Sequence, residues 1–416
     1  MSIDIIGDVH GQYDKLVGLL SHMGYRETGG AWRHSSRSVI FVGDLIDRGP
    51  KQLATLDLVR GMVDAGSARC VMGNHEFNAI AWATPDPEHP GKFLRDHHKP
   101  GNREQHAAFL EQVEGTHKQK EITDWFRTLP LWLDLDLRQD VATDGVREAG
   151  RARAPDAPSP GEDRGPNGSA RRRIRLRVVH ACWHQASIDV LQKAMGTQQR
   201  LTDEMIVLGS RKGHPIYKAI ETVCKGPEVE LPAGISFKDK EGRVRTEVRV
   251  RWWQEDLSTY RKAAIGPPGE MEMIPDVPMP AEWVGHPYIG PPVLFGHYWF
   301  TGTPNAISPR FACLDYSAAR DGPLVAYRWD GEADLSSSKL EWVGKGDNAM
   351  LQTSFDGLTM DVAQPETCID CENRLGGEDH GRNWHLCKFC GEAVCDSCGA
   401  THYCEKQRSM KPNNLR

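Results

Sequence analysis

The chain has 416 residues, 39% hydrophobic and 26% charged, with a net charge of −6. That length calls for more than one core, and the composition is that of a soluble globular protein. The acidic balance excludes capture of nucleic acid by overall charge, though not by a local basic patch, and no apolar run approaches the 18 residues of a membrane span.

The opening segment, MSIDIIGDVHG, lacks the basic region and long apolar stretch of a secretory signal. Cys70, Cys182, Cys224 and Cys313 are scattered, and the other seven of the eleven cysteines fall between Cys368 and Cys404. Scattered single thiols and one dense cluster suit a reducing, cytoplasmic compartment in which clustered cysteines bind metal.

One local pattern recurs along the chain. IDII ends at Gly7 before Asp8, Val9 and His10; VIFV ends at Gly43 before Asp44; RCVM ends at Gly73 before Asn74, His75 and Glu76. Farther on, RLRVV runs into His180, and PVLF ends at Gly296 before His297. Each short, β-branched run reads as a buried strand, and glycine at the exit lets the backbone turn sharply. Between them, Tyr13, Leu16, Val17, Leu20 and Met23 share one helical face, as do Leu53, Leu56, Val59 and Val63 after Pro50. LPLWLDLDL and RIRLRVVH both alternate and are expected to pair as neighbours. Residues 140–172, rich in Gly, Pro, Arg and acid, read as a disordered insertion at the tip of that pair. Residues 185–290 read as an inserted cap.

Asp8, His10, Asp44, Asn74, His180 and His297 are ligand-type residues, all but His10 within about two residues of an apolar run. If the strands share one sheet and direction, their ends converge on one edge. Oxygen and imidazole donors suit first-row divalent metals, and a shared carboxylate holds two ions about 3.5–4 Å apart.

GDVHG (7–11), GDLIDRG (43–49), GNHE (73–76), HA (180–181) and GH (296–297) resemble the signature of the calcineurin-like metallophosphoesterases. The GDLIDRG spelling is similar to the phosphoprotein-phosphatase branch, which includes bacterial diadenosine-tetraphosphate hydrolases. CLDYSAARDGPLVAYRWDGE (313–332) resembles the closing strands of bacterial members. The resemblance implies an α/β fold, a four-layer α-β-β-α sandwich over residues 1–345. It implies one divalent metal on Asp8, His10 and Asp44 and a second on Asp44, Asn74, His180 and His297, with manganese expected and iron or zinc compatible. It further implies that Arg48 binds phosphate oxygens, that His75 protonates the leaving group while Asp47 orients it, and that a metal-bridging hydroxide attacks phosphorus. Substrate contacts fall to Arg48, Asn74 and His75. The family's second phosphate-binding arginine has no clear counterpart; Arg251 and Arg261 are candidates. Glu76 is expected to be structural, Cys182 a packed thiol, and His184, His214 and His286 ordinary surface or cap residues.

After a linker at 346–365, residues 366–408 hold three CxxC pairs, Cys368/Cys371, Cys387/Cys390 and Cys395/Cys398, followed by His402 and Cys404. Eight such ligands make two closed tetrahedral zinc sites, which would be the main source of stability for so short a domain. The pattern resembles FYVE-like treble-clef fingers. It implies one zinc on Cys368, Cys371, Cys395 and Cys398 and another on Cys387, Cys390, His402 and Cys404, with His380 or His385 as substitutes for His402. With one arginine in GRNWHL, a lipid-reading role is not expected; the finger is read as docking a protein partner or the substrate, and 409–416 as a flexible tail. The functional expectation is a serine/threonine protein phosphatase-like hydrolase. The alternatives are a dinucleoside polyphosphate hydrolase and, in another class, a finger-targeted binding module.

Overall fold

In the computed structural model, the described residues are 2–140, 162–164, 170–196, 200–239, 242–283 and 288–344, together with the backbone at 384–386 and 393–395. The chain divides into two units, Met1–Ser354 and Phe355–Arg416.

The first unit is built on two sheets. Sheet one uses β1 (Ser2–Ile6), β2 (Arg37–Phe41) and β3 (Ala68–Cys70); sheet two uses β4 (Trp132–Asp140), β5 (Ala170–Val179), β6 (Val293–Phe295) and β7 (Phe311–Cys313). Two later strands, β8 (Leu324–Trp329) and β9 (Leu340–Val343), complete sheet one in the order β9-β8-β1-β2-β3, while sheet two runs β7-β6-β5-β4. Strands β1, β2 and β3 are mutually parallel, as are β5, β6 and β7. The alternating segments pair antiparallel as expected, Trp132 opposite Val179.

Side-chain alternation explains why two sheets stack. Ile3, Ile5, Ile40 and Val42 of sheet one and Leu176, Val178 and Leu294 of sheet two form one dry cluster. Their sequence neighbours Ile6, Val39, Phe41, Val179, Val293 and Phe295 belong to a second cluster, which also holds the helices. A strand buried on both faces reads as a continuous apolar run, which is why VIFV and PVLF lack polar alternation. Each fully buried aliphatic side chain contributes about 1.5–3 kcal/mol.

Helix α1 (Tyr13–His22) buries Leu16, Leu19 and Leu20, and α2 (Gln52–Asp64) buries Leu56, Val59 and Met62. The buried stripe of α2 also includes Gln52 and Thr55, while the apolar Leu53 and Val63 are only partly covered. Helix α3 (Asn74–Ala83) is buried throughout its first nine residues. Three further helices, α4 (Pro100–Gln105), α5 (Ala107–Val113) and α6 (His117–Phe126), lead into β4. After β5 come α7 (Gln185–Met195), α8 (Asp203–Gly209) and α9 (Pro215–Lys225), whose Leu191, Ile206 and Ile220 join the main helical cluster. Only the following stretch has a core of its own: strands Glu228–Glu230, Glu247–Val250 and Ala264–Ile265 form a small sheet over Val229, Val248, Val250, Tyr260 and Met279. Most of the 140–172 insertion lies outside the described residues; Glu162–Arg164 pairs with the start of β5.

In the second unit, Trp384–Leu386 pairs antiparallel with Ala393–Cys395, Trp384 opposite Cys395. The expected zinc ligands Cys368, Cys371, Cys387, Cys390, Cys398, His402 and Cys404 lie outside the described residues, as does the Cys395 side chain. Among the described residues, no helix is long and apolar enough to cross a membrane.

A polar knot ties sheet one together. Asp4 is fully buried on β1 and accepts hydrogen bonds from the Tyr25 hydroxyl at 2.9 Å, Arg37 Nε at 2.8 Å and Arg328 Nε at 3.3 Å. Removing one partner of such a group strands the others in low dielectric. Asp4→Ala is therefore expected to cost about 3–5 kcal/mol in urea unfolding; an unchanged midpoint would show that water satisfies Arg37 instead.

Candidate active site

The ligand-type residues gather, but not along one sheet edge. Asp8, Asp44 and Asn74 follow β1, β2 and β3 of sheet one, whereas His180 and His297 follow β5 and β6 of sheet two. The strands do not share one sheet: two parallel sets, one per sheet, end on the same side of the sandwich. The physical reason is the dry cluster between the sheets, which stacks them so that both sets of strand ends face one space.

Asp44 stands at the middle. Its Oδ1 lies 3.4 Å from His180 Nε2, and its Oδ2 lies 3.7 Å from both His10 Nε2 and His75 Nε2. Asp44, His180 and His297 have ligand atoms close enough to hold one ion, and so do His10, Asp44 and His75. Asn74 Oδ1 is 3.1 Å from His180 Nε2. The Asp8 carboxylate accepts from the His297 backbone N–H at 3.1 Å. All these residues except His297 are buried.

The backbone is bent to achieve this. His10, Asp44, Asp47, Arg48 and His297 all have positive φ, from 48° to 75°, although none is glycine. Strain of this kind costs on the order of 1–3 kcal/mol per residue and persists where the surroundings impose it. Two glycines make the approach fit. A Cβ at Gly73 would lie 2.1 Å from Asp44 Oδ1, and one at Gly296 would lie 1.9 Å from Asp8 Oδ1.

Glu76 answers why a carboxylate ends GNHE. Its Oε2 accepts the Asp44 and Gly73 backbone N–H groups, and its Oε1 accepts that of Leu45, each at 2.8 Å. It is the third residue of α3, whose N-cap is Gly73, so it closes half of a capping box and clamps the Asp44 turn to the helix start. In return Asp44 Oδ1 accepts the His75 N–H at 3.0 Å, placing a carboxylate at the positive end of α3.

The donor set suits divalent metal. His10 Nδ1 lies 2.7 Å from the Ile46 carbonyl and His180 Nδ1 lies 2.8 Å from the Val42 carbonyl. Donation there leaves each Nε2 lone pair aimed inward. His10 Nε2 and both ring nitrogens of His297 are buried without a hydrogen-bond partner, which is costly unless an ion takes them. Burial and the nearby Asp315 push the Asp8 carboxyl well above the usual range, with Asp44 adding to it. For Asp44, burial is outweighed by His180 and His75, which hold it well below that range. For His180, burial is outweighed by Asp44, which raises it to about 10, while burial and His75 lower His10 to about 3. Neighbouring acids pushed apart in this way are what positive charge between them would relieve.

Beside this centre, Asp47 Oδ2 is 2.5 Å from His75 Nδ1 and 2.8 Å from His106 Nδ1. Two imidazoles thus share one carboxylate oxygen. Burial is outweighed by the hydrogen bonds from His106 and His75, and Asp47 is lowered to about 2. Gln52, buried on α2, accepts the Asp47 N–H at 2.7 Å and donates to the Gly49 carbonyl at 2.6 Å.

Sequence patterns did not mark His106, which lies in a polar stretch between α4 and α5. Asp315 did carry a signal: like Asp8 and Asp44 it follows an apolar strand. It accepts the backbone N–H groups of Trp299 at 2.8 Å and Ser317 at 2.9 Å, tying the His297 loop to the exit of β7. Of the two candidate arginines, Arg261 donates to the Ile274 carbonyl beside the small sheet's core. The arginines that bear on the centre are Arg48, which feels Asp44, Asp315 and Asp8, and Arg249, which after burial does most to lower His297. His184 and His214 accept backbone N–H groups at the starts of α7 and α9, and His286 lies outside the described residues. Cys70, Cys182, Cys224 and Cys313 are free and buried, and burial pushes the Cys182 thiol well above its usual range, as befits a packed side chain.

Glu76→Gln would turn an amide N–H toward a backbone N–H at the Asp44 turn. It is expected to cost about 1–3 kcal/mol of stability and to lower the metal retained after dialysis. Unchanged stability and metal content together would exclude the clamp.

Residues 1–164 match the calcineurin-like phosphoesterase family. Over 76 residues, 18% of this chain and 31% of the relative, the sequence is 49% identical to the asymmetrical bis(5'-nucleosyl)-tetraphosphatase PrpE of Halalkalibacterium halodurans. It is 32% identical over 127 residues, 30% of this chain and 38% of the relative, to the symmetrical bis(5'-nucleosyl)-tetraphosphatase of Vibrio cholerae. The matches thus span about a third of the length of these curated relatives. A cold-active protein-tyrosine phosphatase of a psychrophilic Shewanella aligns over 78% of this chain and 75% of its own, at 15% identity and a TM-score of 0.38, too slight a likeness to bear an argument. The family match and the site's geometry agree for the N-terminal part of the chain: residues 1–164 resemble a calcineurin-like phosphoesterase domain and carry His10, Asp44 and His75 close enough to hold one metal ion.

Proposed function

We propose that the protein is a two-metal phosphoesterase. The observation that carries this reading is Asp44, one buried carboxylate with His10 and His75 on one oxygen and His180 on the other. Asp8, His10 and Asp44 would hold one divalent ion, and Asp44, Asn74, His180 and His297 the second; manganese, iron and zinc all suit these donors. Such a pair would acidify a water to a nucleophile at neutral pH and neutralise charge on the phosphoryl oxygens.

The remaining steps belong to the chain. Arg48 presents a planar guanidinium to the phosphate oxygens. His75 Nε2 faces the centre while its Nδ1 is held by Asp47, so it can hand a proton to the leaving oxygen. His106 is a positioning residue that acts through Asp47. Two substrate classes fit this chemistry, phosphoserine or phosphothreonine in proteins and dinucleoside polyphosphates. The second is favoured by one observation: the two curated relatives from Halalkalibacterium halodurans and Vibrio cholerae are bis(5'-nucleosyl)-tetraphosphatases. In the second unit, two zinc ions on the eight cysteine and histidine ligands would build a finger that docks a protein partner.

A metal-supplemented panel tests the reading with nitrophenyl phosphate, phosphoserine and phosphothreonine peptides and diadenosine tetraphosphate. Asp44→Asn is expected to lower turnover on every substrate by more than about 100-fold; retained activity would remove the two-metal assignment. His75→Asn is expected to lose about 10²–10⁴-fold on an alkyl phosphate and far less on nitrophenyl phosphate, whose leaving group needs no proton. Equal losses on both would take His75 out of the acid role.

A further inference from the structure

Arg48 is not alone at the rim of the centre. Its guanidinium carbon lies 3.7 Å from the centroid of the Trp299 ring, and that of Arg320 lies 4.7 Å from the same centroid. Two cations on one indole are therefore neighbours, and among the described residues neither makes an ion pair with a carboxylate. Both Arg48 and Arg320 are exposed residues. Burial does most to oppose the charge on Arg48 and Arg320 adds to it, while Asp44, Asp315 and Asp8 favour it.

The backbone holds this arrangement under strain. Arg48 has φ 71° and Trp299 has φ 52°, both in the left-handed region that bulky residues avoid. Asp315 fixes Trp299 by accepting its N–H, and Arg320 follows in the turn that the same aspartate starts, its N–H donating to the Ser317 carbonyl at 2.8 Å. The ring and both guanidiniums are thus set by one loop pair, before any ligand arrives.

We propose that Arg320, with Trp299 as its platform, forms a second phosphate subsite beside Arg48, so that the centre takes nucleoside di- and polyphosphates in preference to monophosphates. This deepens the two-metal reading and rests on it for the position of the phosphate that is cleaved. Two guanidiniums that repel each other gain most from an anion with enough charge and oxygens to engage both, and a diphosphate offers more of each than a monophosphate. The indole packs against both planar groups, so less of their freedom remains to be lost on binding. Arg320 comes from the turn between β7 and β8, far in sequence from Arg48.

The test uses the manganese-loaded full-length protein, titrated with AMP and ADP at the same excess of manganese, in wild type, Arg320→Gln and Arg320→Lys. The two nucleotides differ by one phosphate, so their affinity ratio reads the subsite. Wild type is expected to bind ADP about tenfold or more tighter than AMP. Arg320→Gln should bring that ratio to within about twofold, and Arg320→Lys should restore part of it as a point charge. A wild-type ratio near one, or a ratio that Arg320→Gln does not change, would overturn the proposal. Nitrophenyl phosphate turnover separates the two readings. Turnover without an ADP preference removes the subsite and leaves the phosphoesterase, whereas an Arg320-dependent ADP preference without turnover keeps the subsite and removes the phosphoesterase.

Discussion

The active-site geometry depends on one buried carboxylate. Asp44 has to sit where two sheets meet, facing imidazoles from both, and nothing in the intrinsic preference of its backbone takes it there. Three constraints impose the position. The positive φ of 50° folds the residue back after β2, Glu76 takes the N–H groups that this turn leaves open, and Gly73 leaves room for its Oδ1. Loss of any one would free the turn to relax, and the distances to His10, His75 and His180 would change together.

That constraint explains why strained backbone concentrates in a small part of the molecule. Among the described residues, six of the seven non-glycine positions with positive φ are His10, Asp44, Asp47, Arg48, His297 and Trp299, all in or beside the centre. The stacked sheets and the helices around them are well packed and pay for this strain, which has the size of a few buried aliphatic side chains. The Asp4 knot on sheet one belongs to the same logic, because a buried polar group that is fully satisfied locks a strand pairing in place.

The hydrogen bonds around Asp47 show how a short motif recruits distant residues. GDLIDRG supplies Asp44, Asp47 and Arg48 within a single turn, yet Asp47 is useful only because His75, His106 and Gln52 converge on it from three helical segments. Trp299 plays a comparable part for Arg48, from a loop that begins about 250 residues later in the chain.

Much of this was legible in the residues themselves. Short apolar runs followed by Asp, Asn or His mark Asp8, Asp44, Asn74, His180 and His297, with glycine at the exit in all but the His180 run, because a strand exit is a local event with a local signature. Period-two alternation likewise announces the pairing of β4 with β5. Other features had no local signature. That the strand ends belong to two sheets follows from the dry cluster between Ile5, Val42, Val178 and Leu294, a contact among distant segments. The burial of Gln52, the place of His106 on Asp47 and the meeting of Arg48 and Arg320 on Trp299 are likewise tertiary. Asp47 and His106, like Arg48 and Trp299, lie far apart along the chain, and periodicity carries no information about such pairs; Gln52 bonds locally to Asp47 and Gly49, but its burial goes against its polarity. The sequence by itself determined which atoms are available to bind metal and phosphate; only the packing of the two sheets and their loops decided which of them meet.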